Sequence, residues 1–245
     1  MARTLHIPAV EHAARAWQLT VPEITKGFVN LYDHPPSFRY AQLYSLVRDL
    51  LFLKVPYEQV VEGVKRSVRP PVARDAFLEI LPMIQRHFDE VSPDYVIEVP
   101  PSFYPIGQNL SVPIRPPVVY GVGGQLYLPW FLFWKSNPLR GEKERLFITI
   151  MKEVMQQDPF FDDVKFEILS FAAGKRSSKR KLVIRDAADV KLLSEERKAE
   201  MLTELASGFE NALRIIEARM SSRPEPGTRN GDRPSPDNPQ GDLFR

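Results

Sequence analysis

Apolar positions recur along the first 92 residues at helical spacing, and prolines cut the pattern into segments. From Pro8 to Trp17 the run PAVEHAARAW predicts a short helix, with Val10, Ala13, Ala14 and Trp17 on one face. A second starts at Pro22 and is ended by His34-Pro35-Pro36. Ser37 then caps a strongly apolar helix to Leu53, and Pro56 opens another to about Val68 with Val60, Val61 and Val64 inward. After Arg69-Pro70-Pro71 a longer helix carries Phe77, Leu78, Ile80, Leu81, Ile84 and Phe88, and Pro82 within it is expected to kink or split it.

After Ser92-Pro93 the period changes. YVIEV, PVVYGV and QLYLPWFLFW are short, rich in β-branched and aromatic residues, and bounded by Pro and Gly, which predicts strands. Gly121-Val122-Gly123-Gly124 supplies the turn between two of them. A helix over about 141–157 follows, then strand VKFEILSF, a basic turn, strand RKLVI, and a last helix from Ser194 to about Met220. Helices followed by a small mixed sheet flanked by helices give an α+β fold, read as a helical region (1–92), an α+β region packed with it (93–220), and a tail. The tail, residues 221–245, holds five prolines and no large apolar residue before Leu243, so disorder is expected there.

Composition narrows the classes. The chain has 245 residues, 43% hydrophobic and 26% charged, with no stretch apolar enough to span a bilayer and no secretory signal pattern; a cytoplasmic protein without a membrane partner is expected. Cysteine is absent, which removes disulfide scaffolds, thiolate zinc sites, iron–sulfur clusters and cysteine nucleophiles. A net charge of +2 argues against a protein dedicated to coating DNA.

The tail nevertheless ends in Gln240-Gly241-Asp242-Leu243-Phe244-Arg245, which sets two large apolar side chains where the fold has nothing to bury them. This resembles the QxxLF pentapeptide by which bacterial replication and repair proteins dock on the β sliding clamp. The resemblance implies that the Gln240 amide occupies a polar subsite, that Leu243 and Phe244 fill an apolar pocket, and that Asp242 takes the polar third position. Gly241 departs from the frequent leucine, which removes one apolar contact and adds backbone freedom, so a weaker peptide than the consensus is expected. A similar run, Gln42-Leu43-Tyr44-Ser45-Leu46, lies in a predicted helix whose core packing explains its spacing.

Another resemblance concerns topology. The segment order from Asp75 onward is similar in outline to the PD-(D/E)xK nuclease fold, which implies carboxylates and a lysine converging on Mg²⁺ at central strands. Pro93-Asp94 is present, but the hairpin strand ends Phe133-Trp134-Lys135, with an aromatic where the metal ligand belongs, and Asp163-Val164-Lys165 falls at the start of a later strand. The residues therefore describe a degenerate version, and surface placement of Asp94, Asp163 and Lys165 is expected. His6, His12, His34 and His87 show no metal-binding spacing, Gly121-Val122-Gly123-Gly124 joins two strands rather than cradling phosphate, and no GxSxG elbow occurs. No metal and no cofactor are expected, and the catalytic residues stay unassigned.

Two further stretches carry candidate chemistry. Lys175, Arg176, Lys179, Arg180 and Lys181 fall within seven residues on a predicted hairpin loop, a pattern that suits phosphate contacts as well as a solvated turn. The aromatic run from Tyr127 to Trp134 reads as a core strand rather than a base-stacking platform. The expectation is a replication or repair protein recruited to the clamp, with a basic hairpin touching DNA. Two alternatives stay open: a non-catalytic toxin or inhibitor that occupies the clamp, and a nuclease-like enzyme.

Overall fold

The structure, a computed structural model, describes residues 4–36, 40–174, 177 and 179–222. Its architecture is α+β, with seven α-helices, a five-stranded mixed sheet and a two-stranded sheet among those residues. The helices are α1 (Val10–Ala16), α2 (Val21–Asp33), α3 (Ala41–Leu51), α4 (Tyr57–Ser67), α5 (Pro71–Val91), α6 (Glu142–Gln156) and α7 (Glu195–Ser221). The strands are β1 (Tyr95–Ile97), β2 (Ser102–Gly107), β3 (Leu110–Ile114), β4 (Val119–Val122), β5 (Gln125–Leu132), β6 (Val164–Ser170) and β7 (Val183–Asp186). None of the described helices is long and apolar enough to cross a membrane.

The main sheet has the order β1-β4-β5-β6-β7. Its one parallel pair is β5 with β6, in register from Leu126 opposite Val164 to Leu132 opposite Ser170. A parallel pair requires a crossover, and α6 supplies it. Both strands therefore end at the same edge of the sheet. The chain returns from there through the loop before α6 and the basic loop before β7.

Each face of the sheet has its own core. On one face α3, α4 and α5 cover Tyr120, Phe131, Phe133, Leu169 and Phe171. On the other α1, α2, α6 and α7 cover Leu128, Trp130, Phe166 and Ile168. The first 92 residues thus divide between the two layers. α2 packs along α7, where Gly208 lies against Ile24 and Phe28 meets Phe209 edge to face at 5.2 Å.

Three elements differ from their sequence expectations. The β2–β3 hairpin, absent from that reading, pairs Tyr104 with Val112 and packs Tyr104, Ile106, Val112 and Ile114 into the second core. α5 is not split at Pro82, which lies at an exposed position of the helix. The last strand begins at Val183, and Arg180 makes only an isolated bridge with Ala173. The expected cap at Ser37 lies outside the described residues; α3 starts after Tyr40, without a side-chain cap.

Candidate functional site at the carboxyl ends of the parallel strands

Arg180 organises this edge of the sheet. Its Nη1 donates to the carbonyls of Phe133 (2.8 Å) and Phe171 (3.1 Å), which lie just past β5 and β6. Those carbonyls lie beyond the last rung of the ladder, so a buried donor is what satisfies them. Nη2 donates to the Tyr40 hydroxyl at 3.2 Å, Nε lies 3.2 Å from Glu79 Oε2, and the Arg180 backbone N–H donates to Glu79 Oε1 at 3.0 Å. A planar guanidinium can address several acceptors at fixed angles, which a lysine cannot do.

Arg180 is therefore withdrawn from the set of expected phosphate ligands. Its side chain is 3% exposed and hydrogen-bonded through both terminal nitrogens, with Nε beside Glu79, so it anchors the loop instead of reaching a partner. Lys179 and Lys181, on either side of it, are exposed. Lys175 and Arg176 lie outside the described residues. Lys135 joins the group through the backbone, since its carbonyl accepts the N–H of Ala173 at 2.8 Å, beside the Ala173–Arg180 bridge.

α1 closes the same edge with a second set of side chains. His12 meets the Trp134 ring edge to face at 5.0 Å, and the Arg15 guanidinium lies 5.5 Å from the centroid of that ring. Tyr44 donates to the Phe131 carbonyl at 2.6 Å. Between them is a cavity of about 10 Å³ lined by His12, Tyr40, Tyr44 and residues 131–134, room for one water molecule.

Glu11 is 5% exposed, and its Oε2 has no hydrogen-bond partner; burial raises its carboxyl to about 7. His12 Nε2 lies 3.7 Å from Glu11 Oε1, and burial followed by repulsion from Arg15 lowers the imidazole to about 4. Burial thus favours the neutral forms of both His12 and Glu11. Tyr44 is pushed well above its ordinary range by burial and by Glu11, so it stays a hydroxyl donor. Lys143, on the first turn of α6, is lowered by burial and by Arg15, which marks two cations held close to one another. In the sequence, Glu11 is indistinguishable from the polar face of a short helix.

The carboxylates suggested by the nuclease outline go elsewhere. Asp94 accepts the Gly123 N–H at 2.7 Å and braces the turn before β5, and the Asp163 carbonyl accepts from Gln125 Nε2 at 2.6 Å. Both lie at the amino end of β5, where Lys165 Nζ is 5.7 Å from the Tyr127 ring centroid. Lys135 follows the opposite end, about 25 Å away along an eight-residue strand. On the sheet between them, Tyr120 stacks on Tyr127 at 5.1 Å and donates to Glu167 at 2.9 Å; burial raises the Glu167 carboxyl. Among the described residues no group of three His, Asp or Glu side chains is placed to hold a metal ion.

Of the similar run at 42–46, Leu43 is fully buried, as core packing requires. Gln240, Gly241, Asp242, Leu243 and Phe244 lie outside the described residues, as does the segment from 223 onward where the composition predicts disorder. No family model, curated protein or solved structure matches the chain.

Proposed function

We propose that this protein is recruited to the bacterial β sliding clamp through Gln240, Asp242, Leu243 and Phe244, and that the loop bearing Lys179 and Lys181 then touches DNA in replication or repair. The observation that carries the reading is the pentapeptide itself, which pairs a glutamine with a Leu-Phe dipeptide at the spacing the resemblance requires. The spacing supports it: about 20 residues separate Met220 from Gln240, and with the disorder expected from their composition a chain of that length has a root-mean-square reach of roughly 25 Å. A tether of that length raises the local concentration of the body at clamp-bound DNA to the millimolar range. The clamp contact itself is expected to be micromolar.

Calorimetry with purified clamp tests this. The double variant Leu243→Ala/Phe244→Ala removes two anchors worth about 1.5–3 kcal/mol each and weakens binding by about two orders of magnitude or more, with the melting temperature unchanged. A parent protein that does not bind the clamp, or a double variant that binds as well as the parent, rejects the assignment.

One observation favours a second reading, a non-catalytic occupant of the clamp. On the central strands, where a nuclease would gather its metal ligands, this sheet has the stacked pair Tyr120 and Tyr127.

A further inference from the structure

Among the described residues, several carboxylates at the carboxyl edge of the sheet are already engaged or buried. Glu79 pairs with Arg180, Glu142 with Arg197 through two hydrogen bonds of 2.7–2.8 Å, Glu144 with Arg185, and Glu11 is enclosed. The cations on that edge are in the opposite condition. Among the same residues, Arg15, Lys135, Arg140, Lys143, Lys179 and Lys181 make no ion pair. The topology brings them together from four elements: the last turn of α1, the loop after β5, the first turn of α6 and the loop after β6.

We infer that these six side chains form one cationic rim that tracks the phosphate backbone of duplex DNA, extending the basic loop across both strand ends to Arg15 and Lys143. Arg15 and Lys143 stand on α1 and α6, which pack against each other, so their charges repel in the free protein and a phosphate reaching both relieves that repulsion. The rim offers charge without base readout. Arg15 and His12 already engage the Trp134 ring, and Phe131 and Phe133 are buried, so these aromatic residues are committed to packing rather than to stacking on bases. Uniform phosphate contact suits a partner that meets DNA wherever the clamp carries it.

This inference rests on the DNA contact proposed for the loop, and the experiment separates the two. Anisotropy of a labelled 30-base-pair duplex is followed against salt for the parent, a loop variant (Lys179→Ala/Lys181→Ala) and a rim variant (Arg15→Gln/Lys135→Ala/Lys143→Ala). The slope of log K against log salt is expected to fall by about 0.9 for each lost contact, roughly two contacts in the loop variant and three in the rim variant. Far-UV circular dichroism of both variants is expected to match the parent, which separates lost charge from lost folding. Deleting residues 240–245 is expected to leave the slope unchanged.

A rim variant with the parent's slope beside a weakened loop variant overturns the rim and keeps the loop. A parent that does not bind duplex overturns both. Tighter binding of a single strand of equal length overturns the duplex assignment.

Discussion

The two faces of the sheet are sealed by different means. The face under α3, α4 and α5 is an aromatic layer in which Phe131 stacks near Phe133 (5.7 Å) and Phe171 (6.3 Å), and Phe88 packs edge to face on Tyr120. Its edge is closed by one buried arginine. The opposite face distributes its polar contacts. Tyr104 donates to Glu153 at 2.6 Å, Lys198 pairs with Glu153 and Glu195, Arg197 with Glu142, and Trp17 Nε1 donates to Glu204 at 2.8 Å. Arg180 ties several groups of its layer together at once, so that layer has no substitute for it; a layer with separate pairs loses little when one is removed.

The contrast is sharpest at Arg180. Arg180→Ala strands two buried carbonyls and removes the link to Tyr40 and Glu79; a loss of about 2–5 kcal/mol is expected in urea denaturation. Arg180→Lys is expected to recover little, because one ammonium cannot span the same acceptors. Full recovery by lysine would show that charge alone closes the edge.

Glu11 yields the next largest effect, and its sign follows from proton linkage. A carboxyl raised to about 7 from an ordinary 4.5 keeps its proton in the folded protein after the unfolded chain has lost it. Stability therefore falls as pH rises from about 4.5 to 7, by up to about 3 kcal/mol. His12, lowered from 6.5 to about 4, acts in the opposite direction, costing stability as pH falls through that window. With 42% of its side chain open to solvent, its slope is the weaker. Thermal melts of the parent should thus show a modest decline between pH 4.5 and 7, and Glu11→Gln should reverse it. An unchanged profile in Glu11→Gln would place the titrating group elsewhere.

The smallest effect tests the helix pair on the distributed face. A Cβ at Gly208 would run into the Ile24 side chain, where the two helices approach most closely. Gly208→Ala is expected to cost about 1 kcal/mol, overpacking being partly offset by better helix propensity, and Gly208→Ala/Ile24→Ala to relieve the clash. A stabilised single variant would show that α2 can move away from α7 at no cost.

Much of this is legible in the sequence because its punctuation is strong. Prolines bracket α1, α2, α4 and α5, and Ser194 caps α7 by accepting the Arg197 N–H, as its position suggests. The β2–β3 hairpin is hidden because Pro105 and Pro113 lie inside its strands, where proline ordinarily argues against pairing. The candidate site is legible only in part. Nothing local separates Arg180 from Lys179 and Lys181; only the arrival of two strand ends from elsewhere in the chain gives it a buried place. Glu11 is similar, since its burial comes from packing that α1 does not encode alone.

The packing of α2 against α7 also sets an order of events during synthesis. Trp17 bonds Glu204 across 187 positions, and Asp33 pairs with Arg219 across 186. At about 5–20 residues per second, the amino-terminal helices wait roughly 10–40 s before the surface that buries them has been made. Through that interval Ile24 and Phe28 have no α7 to cover them, while α3, α4 and α5 can already close on the aromatic face once β6 has emerged. The nascent chain is thus half-finished by design, and its first-made helices are among the last to reach their final contacts.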